Sequence, residues 1–84
     1  MPAISRFYGI VIKMFPSKNE HNPPHIHALY AEYIGVFDII NSKMIKGDLP
    51  IKAQKLVTEW IKKNEEELIE MWDTQKFTDI KPLE

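Results

Sequence analysis

The stretch His21-Asn22-Pro23-Pro24-His25-Ile26-His27-Ala28-Leu29-Tyr30 holds all three histidines of an 84-residue chain and two of its six prolines. Proline fixes φ and has no N–H to donate, so Pro23-Pro24 cannot lie inside a helix or a central strand. The residue before a proline is pushed to extended geometry, which covers Asn22 and Pro23. The pair is therefore a stiff lead-in. Behind it, residues 25–30 read as a strand. Side chains alternate across a strand, so His25 and His27 share one side and Ile26 takes the other. His21 lies on the approach, within reach of the histidine side if the chain folds back.

Working outward, Ala31-Glu32 reads as a turn and residues 33–40 as a second strand, so the two form a hairpin. Residues 43–46 give a short further strand, ended by Gly47-Asp48. Upstream, residues 5–15 carry Phe7, Tyr8, Ile10, Val11, Ile12, Met14 and Phe15, a β-branched and aromatic run that reads as one strand covered on both sides. Gly9 within it marks a bulge or a close backbone approach. Arg6 and Lys13 are its charges, and period two puts Arg6 on the side of Tyr8. Pro16 to Asn22 is a loop of turn formers. Asp38 is the odd residue of its strand: an exposed edge carboxylate in the bland reading, or one that orients a histidine or completes a metal site.

Downstream, Leu49-Pro50 opens a helix, because proline is favoured where its missing N–H costs nothing. Apolar residues recur at Ala53, Leu56, Val57, Trp60 and Ile61, then at Leu68, Met71 and Trp72, in steps of three and four. The spacing predicts a helix over 50–75 with a weak point at Asn64, where the stripe lacks an apolar residue: one helix is favoured, two meeting near Lys63-Asn64 the alternative. Trp60 and Trp72 read as core anchors. Along that single helix the lysines come first and the glutamates later, an order that opposes the helix dipole. The tail carries Phe77, Ile80 and Leu83 and suits an added strand on an exposed edge, in this chain or a second copy. The expected fold is thus α+β in a single domain, 1–84: a small antiparallel sheet of three to four strands (5–15, 25–30, 33–40, 43–46) packed by a C-terminal helix.

The histidines admit three readings. Two imidazoles on one strand side with a third nearby make a partial site for Zn, Ni or Cu, with Asp38 as a fourth ligand to His21, His25 and His27. A histidine pair is also suited to proton transfer near neutral pH. There, His25 and His27 would be general base and acid, Arg6 would steady a phosphate and Tyr8 would position substrate. The third reading is structural, the rings capping the sheet.

Composition narrows the class. A net charge of −1 gives no global pull toward nucleic acid or membrane surfaces. No apolar run is long enough to span a bilayer, and no basic head precedes an apolar run at the N-terminus. The chain has no cysteine, which fits a cytoplasmic setting and removes disulfides as a source of stability. At this size a core is only marginally sufficient, so a homodimer or a small protein partner is expected to help.

The runs Ile4-Ser5-Arg6-Phe7-Tyr8-Gly9-Ile10, His21-Asn22-Pro23-Pro24-His25-Ile26-His27-Ala28 and Phe37-Asp38-Ile39, with Leu49-Pro50, Glu59-Trp60, Glu67-Leu68 and Trp72, resemble a family of small bacterial proteins known only as domain of unknown function 4160. The family often has glycine where this chain has Ala31. The resemblance implies a compact α+β domain, encoded beside other short genes, and no established reaction. That setting suggests a regulatory or toxin–antitoxin-like interaction module acting through protein or nucleic-acid contacts. The alternative is a histidine-dependent nuclease or hydrolase, loosely similar to small RNA-cleaving toxins that place a histidine on a strand.

Overall fold

The computed structural model describes residues 3–14, 24–76 and 78–83. Among the described residues five strands precede two helices: β1 (Ala3–Phe7), β2 (Ile10–Lys13), β3 (His25–Tyr30), β4 (Tyr33–Asp38), β5 (Lys43–Gly47), α1 (Ile51–Lys63) and α2 (Glu65–Thr74). The sheet order is β1-β2-β3-β4-β5, every neighbouring pair antiparallel. The α+β class holds, with one strand more than the sequence suggested.

The extra strand comes from the run 5–15, which is two strands and not one. The chain reverses at Tyr8-Gly9, where φ is 50° and 79°. Two successive positive φ values make the two-residue turn whose twist suits a hairpin, and Asn-Gly is its usual signature. Here a tyrosine takes the first place, so only Gly9 marked the turn. The second hairpin turns at Ala31-Glu32 as expected, with Ala31 at φ 52°. The expected strand 33–40 stops at Asp38, because the Asp38 carboxylate accepts hydrogen bonds from the Ile40 N–H (2.9 Å) and the Asn41 N–H (3.4 Å). Those donors are thereby taken from the ladder. At the far end of β5, Gly47 has φ 90°, and a Cβ there would collide with the Ile34 carbonyl oxygen. That same oxygen accepts from the Asp48 N–H at 3.0 Å.

Alternation then sorts each strand. Ile10, Ile12, Ile26, Ala28 and Phe37 are buried on one side of the sheet and cluster with Ala53, Val57, Trp60 and Ile61 of α1 and Leu68 and Met71 of α2. Burying each such side chain is worth roughly 1.5–3 kcal/mol for the larger ones.

The helix expected over 50–75 is broken at Asn64, the weak point, into two. The Asn64 N–H is shared between the Trp60 and Ile61 carbonyls, its Nδ2 donates to Trp60 O at 2.9 Å, and its own carbonyl starts α2 by accepting from the Leu68 N–H. The break resolves the charge order. Lys62 and Lys63 close the last turn of α1, and Glu65, Glu66 and Glu67 open α2. Each group now sits at the helix end whose dipole favours it.

Of the two tryptophans, Trp60 is the deep anchor, and its Nε1 donates to the Lys81 carbonyl at 3.0 Å. Trp72 is half-buried at the margin of the core. In its described residues the tail adds no strand. It buries Ile80 and Leu83 and makes one ladder-like bond to β1, from the Ile80 N–H to the Ile4 carbonyl at 2.7 Å. Phe77 lies outside the described residues. No helix among the described residues is long and apolar enough to cross a membrane.

Candidate functional site

Strand β3 positions the histidines. Its start is fixed by the Ile39 N–H, which donates to the Pro24 carbonyl at 3.1 Å and carries the β3–β4 ladder one step beyond His25. Pro24 is thus docked through an acceptor, the backbone function proline retains. Beyond it, period two puts His25 and His27 on one side, and their ring centroids are 5.4 Å apart. The Trp72 ring stands 4.9 Å from that of His25. Three rings therefore gather at the end of β3 where it leaves the lead-in.

Cross-strand register shows what flanks them, since directly opposed residues share a side. Lys13, His27, Val36 and Lys46 form one row across β2 to β5. His25, Asp38 and Lys43 form the next row, across β3 to β5. Arg6, Val11, Leu29 and Ile34 form another, across β1 to β4. Arg6, Ile34, Lys43 and Lys46 are exposed. This is the side away from Ile26 and Ala28.

The two histidines differ in environment. Both are partly buried, and the Nδ1 of His27 is shielded from solvent. Burial lowers the His27 pKa from its ordinary 6.5, and the nearby His25 lowers it further. A charged imidazolium is disfavoured both by the lost water and by a second ring that can itself be charged. His27 is therefore held neutral at pH 7.

Of the expected site residues, the structure brings His25 and His27 together and leaves Arg6 on the same side, one row beyond His27. Tyr8 is elsewhere. It occupies the β1–β2 turn, at the Tyr30 end of β3, about 17 Å along the strand from His25 at some 3.3 Å per residue. There it lines a separate cavity with Tyr30, Pro50 and Lys52. The placement with Arg6 assumed a continuous strand, and the turn breaks that periodicity. Asp38 lies directly across from His25, but it is buried and not an exposed edge carboxylate. Both oxygens serve its own turn: Oδ1 takes the two backbone donors, and Oδ2 accepts from Asn41 Nδ2 at 2.7 Å. His21 lies outside the described residues. Among the described residues no three His, Asp or Glu side chains gather as a metal would need.

Lys13, Lys43, Lys46 and Trp72 join the histidines without having been singled out for it. Register across β2–β3 and β4–β5 links the lysines, and helix α2 brings Trp72.

The geometry defines a class: a five-stranded antiparallel meander, with the helix-packed core on one side and the histidines and lysines on the other, joined at one end by Trp72 of α2. The chain belongs to the family described as domain of unknown function DUF4160, whose profile matches residues 9–73. The match contains the whole histidine stretch, both hairpin strands of the site and Trp72. No curated protein and no solved structure matches the chain.

Proposed function

We propose that the chain is a small bacterial interaction module of the regulatory or toxin–antitoxin-like kind, working in the cytoplasm, and that the side of the sheet bearing His25 and His27 is its working surface. The observation that supports this reading is the register. It sets both histidines on the side away from the core, in contact with each other and with Trp72, and surrounds them with residues of three other strands. A ring cluster that only capped the sheet would not need four cations on the same side of the sheet. Size supports the reading as well, because an 84-residue chain without disulfides gains stability from a partner. The partner is a small protein, a second copy of this chain or a nucleic acid.

The test is a pull-down with the product of the adjacent gene, using the parent chain and the double variant His25→Ala/His27→Ala. A stoichiometric complex with the parent, lost in a variant that melts at the same temperature, supports the surface. Recovery of the bare chain, or a complex indifferent to both substitutions, counts against it.

The lowered pKa of His27 favours one second reading, a histidine-dependent nuclease or hydrolase. A neutral His27 is suited to act as general base, His25 as the acid, and Arg6 to hold a phosphate. Tyr8 drops out of this scheme on distance. Cleavage of RNA by the purified chain, abolished in His27→Ala, is the outcome this reading requires. A Zn or Ni variant depends on His21 joining His25 and His27, and native mass spectrometry of untagged protein showing about one metal per chain, lost in His27→Ala, is its test.

A further inference from the structure

We propose that the ligand of this surface is the backbone of single-stranded nucleic acid, with bases stacking on the rings at its end. The proposal rests on the working surface named above and adds what it holds.

The net charge of −1 hides a separation. The five strands carry Arg6, Lys13, Lys43 and Lys46 against a single carboxylate. That carboxylate, Asp38, is buried and engaged by its own turn. Helix α2 carries Glu65, Glu66, Glu67, Glu70 and Asp73 and no base at all. Register puts all four cations on the histidine side. A polyanion approaching that side meets cations on β1, β2 and β5, and helix α2 reaches it at the His25 end through Trp72.

The rings and apolar residues choose among polyanions. Lys13 neighbours His27, and His25 lies 4.9 Å from Trp72 by ring centroids. Between the cations lie Val11, Leu29 and Val36, partly buried and apolar. An acidic peptide would satisfy the lysines and leave this ground unused. A duplex keeps its base faces stacked inside. A single strand offers phosphates to the cations and base faces to the rings, the combination that sequence-tolerant single-strand binders use.

The experiment measures fluorescence anisotropy of a labelled single-stranded RNA 12-mer with the full chain at 50 and 200 mM salt. Four neutralised phosphates on a single strand give a log–log slope near −2.8, so affinity should fall roughly 50-fold over that range. In Lys13→Gln/Lys43→Gln/Lys46→Gln, verified folded by circular dichroism, one cation remains and the fall shrinks to about threefold. His25→Ala should weaken binding about tenfold at either salt and leave the slope unchanged, since it removes stacking and not charge. Absence of binding at 50 mM salt overturns the proposal. So does a triple variant with the parental slope, an RNA duplex bound as tightly as the single strand, or poly-glutamate competing as well as RNA. If RNA fails while the histidine-dependent protein complex persists, this proposal falls and the working surface stands.

Discussion

Strand β3 has two sides, and they answer to different physics. Inward, Ile26 and Ala28 are completely buried in a contiguous apolar cluster, where identity is set by volume. Outward, His25, His27 and Leu29 are only partly covered, and their cross-strand neighbours are mostly lysines and aliphatic residues. The inner side is settled by packing against helices of the same chain. The outer side is built from long-range register and has a composition that packing alone does not ask for. The difference teaches where stability ends and binding begins, and it can be broken by substitution.

The largest effect belongs to the inner side. Ile26→Ala leaves a cavity beneath Phe37 and should cost about 3 kcal/mol of unfolding free energy, by urea denaturation. His25→Ala, one residue away on the other side, should cost well under 1 kcal/mol, as surface substitutions do. Equal losses would erase the distinction between the sides. Asp38 is the instructive exception: an outer-side residue with an inner-side job. Asp38→Ala strands three donors of the turn that follows β4 and should cost about 2 kcal/mol. If instead it leaves stability intact and abolishes ligand binding, Asp38 belongs to the site and not to the turn.

A smaller effect, of opposite sign, tests the turn that joins the two strands of the site. Ala31 sits at φ 52°, where a Cβ is penalised by roughly 1 kcal/mol relative to glycine. Ala31→Gly should stabilise by about 0.5 kcal/mol once the freer unfolded chain is counted, with ligand affinity unchanged. A loss of stability would mean that the turn is held by contacts of the Ala31 methyl group.

The sequence made the inner side legible for a local reason. Period-two alternation in β3 and β4, and steps of three and four in the helices, each report on a neighbour a few residues away. That was enough for the α+β class, the β3–β4 hairpin and the Trp60 anchor. Failures occurred where local signals misled. Tyr8 occupies a turn position that asparagine or glycine usually fills, so a hairpin read as one strand and Tyr8 was drawn into the site. At Asn64 the apolar stripe resumes in phase, so one helix was favoured over two, although Lys62-Lys63 before and Glu65-Glu66-Glu67 after are a charge signature for one helix ending and another starting. The outer side was half legible. The histidine pair followed from spacing, but Lys43 and Lys46 join it only through the β4–β5 register, and Trp72 only through the fold.

The last and smallest effect asks whether the outer side feels its own electrostatics. Burial, and then the charge of His25, lower the His27 pKa below 6.5 in the folded chain. Between the folded and unfolded values the unfolded chain binds the extra proton, so stability rises with pH in that window. It should be complete above pH 6.5, decline as the pH falls toward the folded value, and be flat in this respect below it. Urea midpoints at pH 7.5, 6.5 and 5.5 should show that decline for the parent chain. His27→Gln should remove it, because no proton is then taken up at that position on unfolding. His25→Gln should reduce it without removing it, since only the second of the two causes is gone. That graded pattern separates burial from repulsion. If His25→Gln and His27→Gln gave the same pH profile as the parent, the outer ring pair would be electrostatically silent, and neither a proton-transfer nor a charge-sensitive binding role would have a basis in these two residues.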